Sequence, residues 1–227
     1  MQSSYHNFMS YFGGINKVFS KRTTETVSNM SNDDDDKIVP ITPDDWDVLE
    51  DSIEKVLTAF GWDMTNPSIE GTPARFLRYL KEFHQPWTIE DVLGKPFDSP
   101  DNSMVIQSNI PFRSICEHHL LPALGYAAVG YIPKGKVIGL SKLTRLVQAI
   151  GTEKPSLQEH ISDKIANTLQ GFLQPRGVMV VITAIHNCMA CRGVNKPNVP
   201  TTTSTTRGVF FADQTARMEF LSLMRGL

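Results

Sequence analysis

The sequence has few cysteines, no long apolar run and almost no net charge. Three cysteines in 227 residues do not make a disulfide framework, and their odd number argues further against one. We therefore expect a reducing, cytoplasmic setting in which the cysteines serve a metal or chemistry. No apolar run approaches the roughly 18–20 residues that a membrane span requires, so no membrane association is expected.

The overall charge and composition exclude further classes of protein. The chain carries 22 Lys and Arg against 24 Asp and Glu, a net charge of -2, and this balance gives no reason to expect nucleic-acid binding. The composition of 41% hydrophobic and 20% charged residues is typical of a globular protein. A chain of this length can fold as one large domain or two small ones.

The first 40 residues differ from the rest of the sequence. They are rich in Ser, Thr and Asn, show no clean period, and contain the run DDDDK at positions 33–37. A run of like charges repels itself and favours a solvated chain. The segment has no apolar region of a secretory signal, and DDDDK also matches a protease site used in recombinant fusions. We expect residues 1–40 to be a disordered or tag-like tail.

Two amphipathic helices are expected to follow, over residues 41–95. Thr42 is a candidate N-cap, followed by a proline and, three residues after the cap, by Asp45. The segment GTPARFLRYLKEF repeats this design with Thr72 as the cap. Both segments then place apolar side chains at the helical period, which predicts a helical hairpin.

Residues 96–227 predict strands and helices in the order strand-strand-helix-helix-strand-strand, then a helix. The segments MVIQSNIPFRSI and LGYAAVGYIPKGKVIGL are rich in strand formers. Ser141 would cap a short helix, and a second helix is expected from about Pro155 to Leu173. VMVVITAIHNC predicts a strand buried on both faces, TTTSTTRGVFF predicts another strand, and QTARMEFLSLMR predicts the terminal helix.

Two distant cysteine motifs are typical of a metal site. Cys116 and His119 form C-x-x-H, a spacing that lets one turn present sulfur and imidazole to one ion. Cys188 and Cys191 form C-x-x-C. All four side chains together would make a closed, structural site. Without Cys191, one position would stay open for water, which is the catalytic arrangement.

Strand geometry favours the open site. Cys188 follows a long strand pattern, and in an extended chain residues three apart point to opposite faces. Cys191 would then point away from an ion held by Cys188. His186, two residues before Cys188, would share its face and could transfer protons beside the metal.

Several basic residues lie where they could bind a polyanion. Lys142 opens one predicted helix, Arg145 follows one turn later, and Arg75 lies in the first turn of another helix. Arg192 directly follows the C-x-x-C pair. Each of the four could instead be a solvated surface charge.

The segment LQEH offers a candidate anchor for a base. Glu159, with Gln158 beside it, could accept two hydrogen bonds from the N1–H and 2-amino group of guanine. Glu159 could also simply complement the dipole at a helix start.

Taken together, these motifs resemble the zinc-dependent GTP cyclohydrolase I family. The resemblance covers roughly residues 42–227 and rests on GTPARF, CEHHLLP, GYIPKGKVIGLSKLTRLV, LQEH, HNCMACRG, TTTSTTRGVF and RMEFL in that order. CEHH followed by IGLSK at this spacing is highly specific. The resemblance implies an α+β tunnelling fold with a leading helical hairpin, assembled into rings of which two pentamers form a homodecamer.

The resemblance also implies a reaction: hydrolysis of GTP to 7,8-dihydroneopterin triphosphate and formate, the first step of pterin and folate-type biosynthesis, with one zinc ion per subunit. The implied zinc ligands are Cys116, His119 and Cys188. The implied catalytic residues are His118, His186 and Ser141. The implied substrate contacts are Gln158, Glu159, Lys142, Arg145, Arg192 and Arg75.

The resemblance assigns a hydroxide supplied by zinc to attack at guanine C8 after a histidine protonates N7. His186 and Ser141 would act in the later opening and reclosure of the sugar. Two departures from the family are a cysteine at position 191 and a segment, AIGTEKPS, that is one residue longer than usual. Two alternatives remain: a purine triphosphate hydrolase that stops at the formylated intermediate, and a non-catalytic protein with a structural Cys₃His zinc site.

Overall fold

A computed structural model describes residues 42–225, so the tail expected over residues 1–40 lies outside the described part. The helices in chain order are α1 (Pro43–Ala59), α2 (Thr72–Glu82), α3 (Ile89–Leu93), α4 (Ser141–Gly151), α5 (Gln158–Leu173), α6 (Asn187–Ala190), α7 (Val209–Ala212) and α8 (Gln214–Arg225). The strands are β1 (Phe97–Asp98), β2 (Val105–Ile115), β3 (Pro122–Ile132), β4 (Lys136–Val137), β5 (Gly177–His186) and β6 (Pro200–Gly208).

The main sheet is antiparallel, with the strand order β2-β3-β5-β6. Helices α4 and α5 lie between β3 and β5 in the chain, and α8 follows the last strand. The order predicted from the sequence and the α+β class are therefore confirmed. Strands β1 and β4 form a separate two-stranded ladder.

Strand β5 is buried on both faces, as its continuous apolar sequence predicts. Val178, Val180 and Ile182 face the larger core, which they share with the apolar sides of α4 and α5. Met179 and Val181 face a smaller core built with residues of α7 and α8. Because side chains alternate along a strand, an apolar residue at every position is stable only in a strand covered on both sides.

The predicted helical hairpin is present. A reciprocal capping box starts α1: the Asp45 amide donates to Thr42 Oγ1 at 3.3 Å, and the Thr42 amide donates to Asp45 Oδ2 at 3.0 Å. Helix α1 packs against α2, yet part of its apolar stripe stays outside the core. Val56 is 49% exposed, and Phe60, which follows the helix, is 81% exposed.

The predictions that Thr72 and Ser141 are helix caps are wrong. Gly71 is the N-cap of α2, and Thr72 is its first residue. Leu140 is the N-cap of α4, with φ -55° and ψ -40°, so Ser141 already lies inside the helix and makes no capping hydrogen bond. A cap side chain reaches the free amides only from an extended N-cap backbone, and the turn before α4 is already helical.

The start predicted for the second crossover helix is three residues too early. Helix α5 begins at Gln158 rather than near Pro155, with Leu157 as an extended N-cap. Proline suits a first helical turn but does not require one. Across residues 42–225, no helix is long and apolar enough to cross a membrane.

Candidate functional site

Cys116 and His119 lie in a tight turn between β2 and β3. The Cys116 amide donates to the Leu121 carbonyl at 3.0 Å, and the Leu120 amide donates to the Cys116 carbonyl at 2.9 Å. Leu120 takes a left-handed backbone with φ 53°. This closure brings Cys116 Sγ and His119 Nδ1 to 3.8 Å from each other.

The register of the sheet brings Cys188 to the same place. Strands β3 and β5 pair so that Ala123 lies opposite His186, which sets the end of β5 beside the turn. The Asn187 side chain then donates to the Pro122 carbonyl at 3.0 Å and fastens α6 to the start of β3.

The ligand atoms of Cys116, His119 and Cys188 all lie within 4.8 Å of one another. A tetrahedral zinc ion separates a sulfur ligand from a nitrogen ligand by about 3.6 Å, given its usual bond lengths. The observed 3.8 Å between Cys116 Sγ and His119 Nδ1 fits that geometry. Two thiols and an imidazole could hold a metal ion and leave a fourth position open.

Cys191 does not belong to this group. The chain leaves the extended conformation at His186 and forms the helical turn α6, so the premise of a continuing strand is wrong. Cys191 is exposed, and its thiol donates to the Asn187 carbonyl at 2.9 Å. Because the strand ends at His186, the expectation that His186 and Cys188 share a strand face is wrong as well.

The surroundings of Cys188 favour the thiol over the thiolate. Burial raises the pKa of Cys188, and the neighbouring Cys116 thiol raises it further, while Arg192 acts to lower it. A bound divalent cation would instead favour the thiolate. Arg192 is exposed, and its positive charge acts on the Cys188 thiol of the three-residue group.

His186 is hydrogen-bonded to Gln158. The His186 Nε2 atom lies 2.8 Å from Gln158 Oε1. Burial lowers the pKa of His186, and the Glu159 carboxylate opposes that effect, so the neutral ring is favoured near pH 7. Gln158 is only 2% exposed, and its amide nitrogen bonds within the subunit rather than pointing to a cleft.

Glu159 lies beside Gln158 but faces outward. It is exposed and lines an open cleft of about 430 Å³ between the start of α5 and β6. His160, Asp163 and Thr203 line the same cleft. The carboxylate is therefore accessible to a ligand in a way that the Gln158 amide is not.

His118 lies beside the three-residue group on the exposed side of the turn. Its side chain is 62% exposed, and its Nε2 lies 3.8 Å from the Glu117 carboxylate. The ring meets His119 edge-on at 6.1 Å between centroids. His118 is thus close to the candidate metal ligands and accessible from outside.

The remaining predicted residues lie on elements other than those that carry the cysteines. Ser141, Lys142 and Arg145 occupy the first turns of α4. Arg75 is on α2, where its guanidinium donates to the Ser68 carbonyl and to Thr72 Oγ1. Among residues 42–225, no hydrogen bond or ion pair joins these four side chains to the candidate metal ligands, which are Cys116, His119 and Cys188.

Sequence reasoning missed the residues that support the site. Tyr79 on α2 donates its hydroxyl to the Leu120 carbonyl at 3.1 Å and so braces the cysteine-histidine turn. On β6, the Thr201 backbone carbonyl and the Thr203 hydroxyl oxygen accept from the Gln158 amide. The alternating threonines of TTTSTT were a signal for one polar face, but the pattern alone does not identify the helix against which that face packs.

Comparison with known proteins agrees with this geometry. A family model described as GTP cyclohydrolase I matches residues 49–225. A protein named GTP cyclohydrolase 1 from Halalkalibacterium halodurans is 42% identical over 185 residues, which cover 80% of this chain and 98% of that relative. The protein of the same name from Pelotomaculum thermopropionicum is 44% identical over 181 residues, covering 78% of this chain and 96% of that relative.

Proposed function

The chain belongs to the GTP cyclohydrolase I family, and we propose that it hydrolyses GTP to 7,8-dihydroneopterin triphosphate and formate with one zinc ion per subunit. The observation that carries this proposal is the Cys116–His119–Cys188 group in a chain that matches the family over residues 49–225. The tunnelling fold of the family accords with the observed antiparallel sheet and its two crossover helices.

The three-residue group would hold the zinc ion. Bound there, zinc would act as a Lewis acid that activates water near neutral pH. The open fourth position and the exclusion of Cys191 from the group favour this use over a closed structural site. His118 and His186 are the candidate proton-transfer groups for the purine and the sugar, and Ser141 would assist the rearrangement.

Glu159 is the residue that we assign to the guanine edge. Its exposed carboxylate beside the cleft can accept the two hydrogen bonds that the N1–H and 2-amino group donate. Arg192, Lys142, Arg145 and Arg75 would hold the triphosphate. Binding energy far from the reacting carbon would then position the base for attack.

Within residues 42–225 of one chain, Arg75, Lys142 and Arg145 are not joined to the candidate metal ligands by a hydrogen bond or ion pair. A site completed by these residues from a second copy of the chain would account for this. Strands β2 and β6 are the edges of the main sheet in one chain, and unpaired edges invite further strands. Large apolar side chains such as Phe60, Trp62 and Tyr126 are exposed in the single chain. We propose a homodecamer of two pentamers with active sites at subunit boundaries.

Within each subunit we propose a helical hairpin over residues 41–95 and a catalytic tunnelling-fold domain over residues 96–227, preceded by the tail over residues 1–40. The Tyr79–Leu120 hydrogen bond supports a hairpin that braces the catalytic part. We also propose a cytoplasmic location, which accords with three unpaired thiols.

The proposed reaction is tested by incubating the full chain with GTP and zinc and measuring both formate and the absorbance of the pterin. We expect both products in equal amounts, and Cys191→Ser should match the wild-type protein. Mass analysis separates the alternative that stops early, because an unrearranged, formylated product would contradict the full reaction. Zinc binding without any consumption of GTP would instead favour the non-catalytic alternative.

A further inference from the structure

The side chain of Gln158 is enclosed between α5 and the last two strands. It is the first residue of α5 and is 2% exposed. Its amide nitrogen lies 3.0 Å from the Ile182 carbonyl oxygen, 3.1 Å from the Thr201 carbonyl oxygen and 3.2 Å from Thr203 Oγ1. Its amide oxygen lies 2.8 Å from His186 Nε2.

These partners determine the orientation of the amide. Two of the three groups around its nitrogen are backbone carbonyl oxygens, which can only accept hydrogen bonds. Turning the amide over would set its oxygen against the carbonyls of Ile182 and Thr201 and would break both bonds. The hydrogen-bond network therefore assigns the nitrogen to the strands and the oxygen to His186.

The orientation of the amide in turn determines which nitrogen of His186 bears hydrogen. An amide oxygen only accepts, so His186 Nε2 must be the donor. This holds for the neutral ring and for the protonated ring alike. In the neutral ring the lone pair is then on Nδ1, which has no hydrogen-bond partner among residues 42–225.

We propose that Gln158 is a positioning residue that holds His186 in the Nε2–H tautomer and leaves Nδ1 as the ring atom available to the substrate. This inference rests on the proposed function for its consequence in catalysis, though not for the tautomer itself. It also differs from the guanine contact predicted for Gln158 from the sequence, because the buried amide has no donor left for a base. Glu159 alone remains as the side-chain anchor of guanine.

The two roles for Gln158 predict different kinetics. If Gln158 binds guanine, Gln158→Leu should raise the KM for GTP. If Gln158 positions His186, the same variant should leave KM within about twofold and lower kcat by about 10- to 100-fold, as part of the 10²–10⁴-fold that a positioned acid or base contributes. The matched control is Gln170→Leu on the same helix, where Gln170 bonds to the Pro175 carbonyl and lies away from His186. Its kcat and KM should not change.

The tautomer is tested directly on the zinc-loaded wild-type protein by solid-state nitrogen NMR with labelled histidine. The signals of His186 are identified by their absence from the spectrum of His186→Gln. We expect hydrogen on Nε2 and none on Nδ1 in the neutral ring, and a mixture of both tautomers in Gln158→Leu. Hydrogen on Nδ1 in the wild-type protein, or an unchanged kcat with a raised KM in the variant, would overturn the proposal.

This pair of measurements separates the two levels of inference. A wild-type protein that releases no formate from GTP would defeat the proposed function, while the NMR spectrum would still decide the tautomer. If Gln158→Leu does not fold, the wild-type spectrum alone decides the assignment.

Discussion

At the residue scale, the candidate metal centre depends on how neighbouring thiols are held. Cys188 lies in the group with Cys116 and His119, whereas Cys191 turns back to the Asn187 carbonyl. Two thiols three residues apart on a helical turn could both face one ion. The Cys191 thiol stays outside the group because it donates to the Asn187 carbonyl.

Serine substitution of the two cysteines should therefore have opposite outcomes. We expect Cys188→Ser to lose most of the bound zinc, because a neutral hydroxyl is a poor replacement for a thiolate ligand. Cys191→Ser should keep about one zinc ion per subunit. Elemental analysis of the purified variants measures both. Loss of zinc and of folding in Cys191→Ser would favour a closed Cys₃His site.

The brace from Tyr79 should matter to metal affinity. Tyr79→Phe removes the hydroxyl that donates to the Leu120 carbonyl but keeps the ring, which packs edge-on against Phe83. Loss of about 1 kcal/mol from one hydrogen bond should weaken zinc binding about fivefold. Competition with a chelator of known affinity measures the change, with Tyr131→Phe, which loses a hydroxyl that accepts from the Ile138 amide, as the control. Equal affinities for the two variants would show that the turn does not need this brace.

At the scale of the element, the first helix begins with a reciprocal cap. Thr42 and Asp45 satisfy each other's backbone amides, whereas Thr72 lies inside α2 and makes no capping bond. The same letters, Thr followed by Pro, therefore have different structural meanings at the two sites.

Alanine substitution distinguishes the two threonines. Thr42→Ala should lower the free energy of unfolding by about 1 kcal/mol, the usual cost of a lost N-cap. Thr72→Ala should cost clearly less. Urea unfolding at one fixed protein concentration compares them, because association would otherwise shift the midpoint. A larger loss for Thr72→Ala would contradict the observed start of α2.

The pairing of β3 with β5 depends on close approach at Gly125. A Cβ atom added there would overlap the Thr183 carbonyl oxygen, so Gly125→Ala must push the two strands apart. We expect a loss of about 1–3 kcal/mol, as for other overpacked sites, and weaker zinc binding, because this pairing aligns the two cysteine motifs. Thermal unfolding and zinc content are the measurements.

Gly171 provides the matched control for Gly125. It lies inside α5, and a Cβ atom added there meets no atom within 4 Å. Gly171→Ala should raise the free energy of unfolding by about 0.5–1 kcal/mol, the usual difference between the two residues in a helix. A loss of stability in this variant would mean that another chain covers the site.

At the scale of the whole molecule, the proposed ring predicts a large assembly. Sedimentation of the purified protein should give about ten times the 25.4 kDa of one chain, with no dependence on zinc if the sheet edges drive association. A monomer at micromolar concentration would contradict the ring, and with it the proposal that Arg75, Ser141, Lys142 and Arg145 complete the site of a neighbouring copy.

Local patterns in the sequence were enough to predict the order of elements, and the linked motifs in their order were enough to indicate the family. Hydrophobic period and strand-forming composition act over a few residues, so β5, α5 and the terminal helix could be predicted without any knowledge of their neighbours. The pairing of Cys116 with His119 was likewise local, since one turn brings them together.

The contacts between residues far apart in the sequence are decided only by the folded chain. The β3–β5 register, with Ala123 opposite His186, brings Cys188 to the turn, and the packing of α5 on the sheet turns Gln158 towards His186. Side-chain direction at these positions depends on strand register and on where a strand ends, and both are set by contacts between residues far apart in the chain. For that reason the prediction of a continuing strand was wrong in its geometry, although Cys191 does lie outside the candidate metal group.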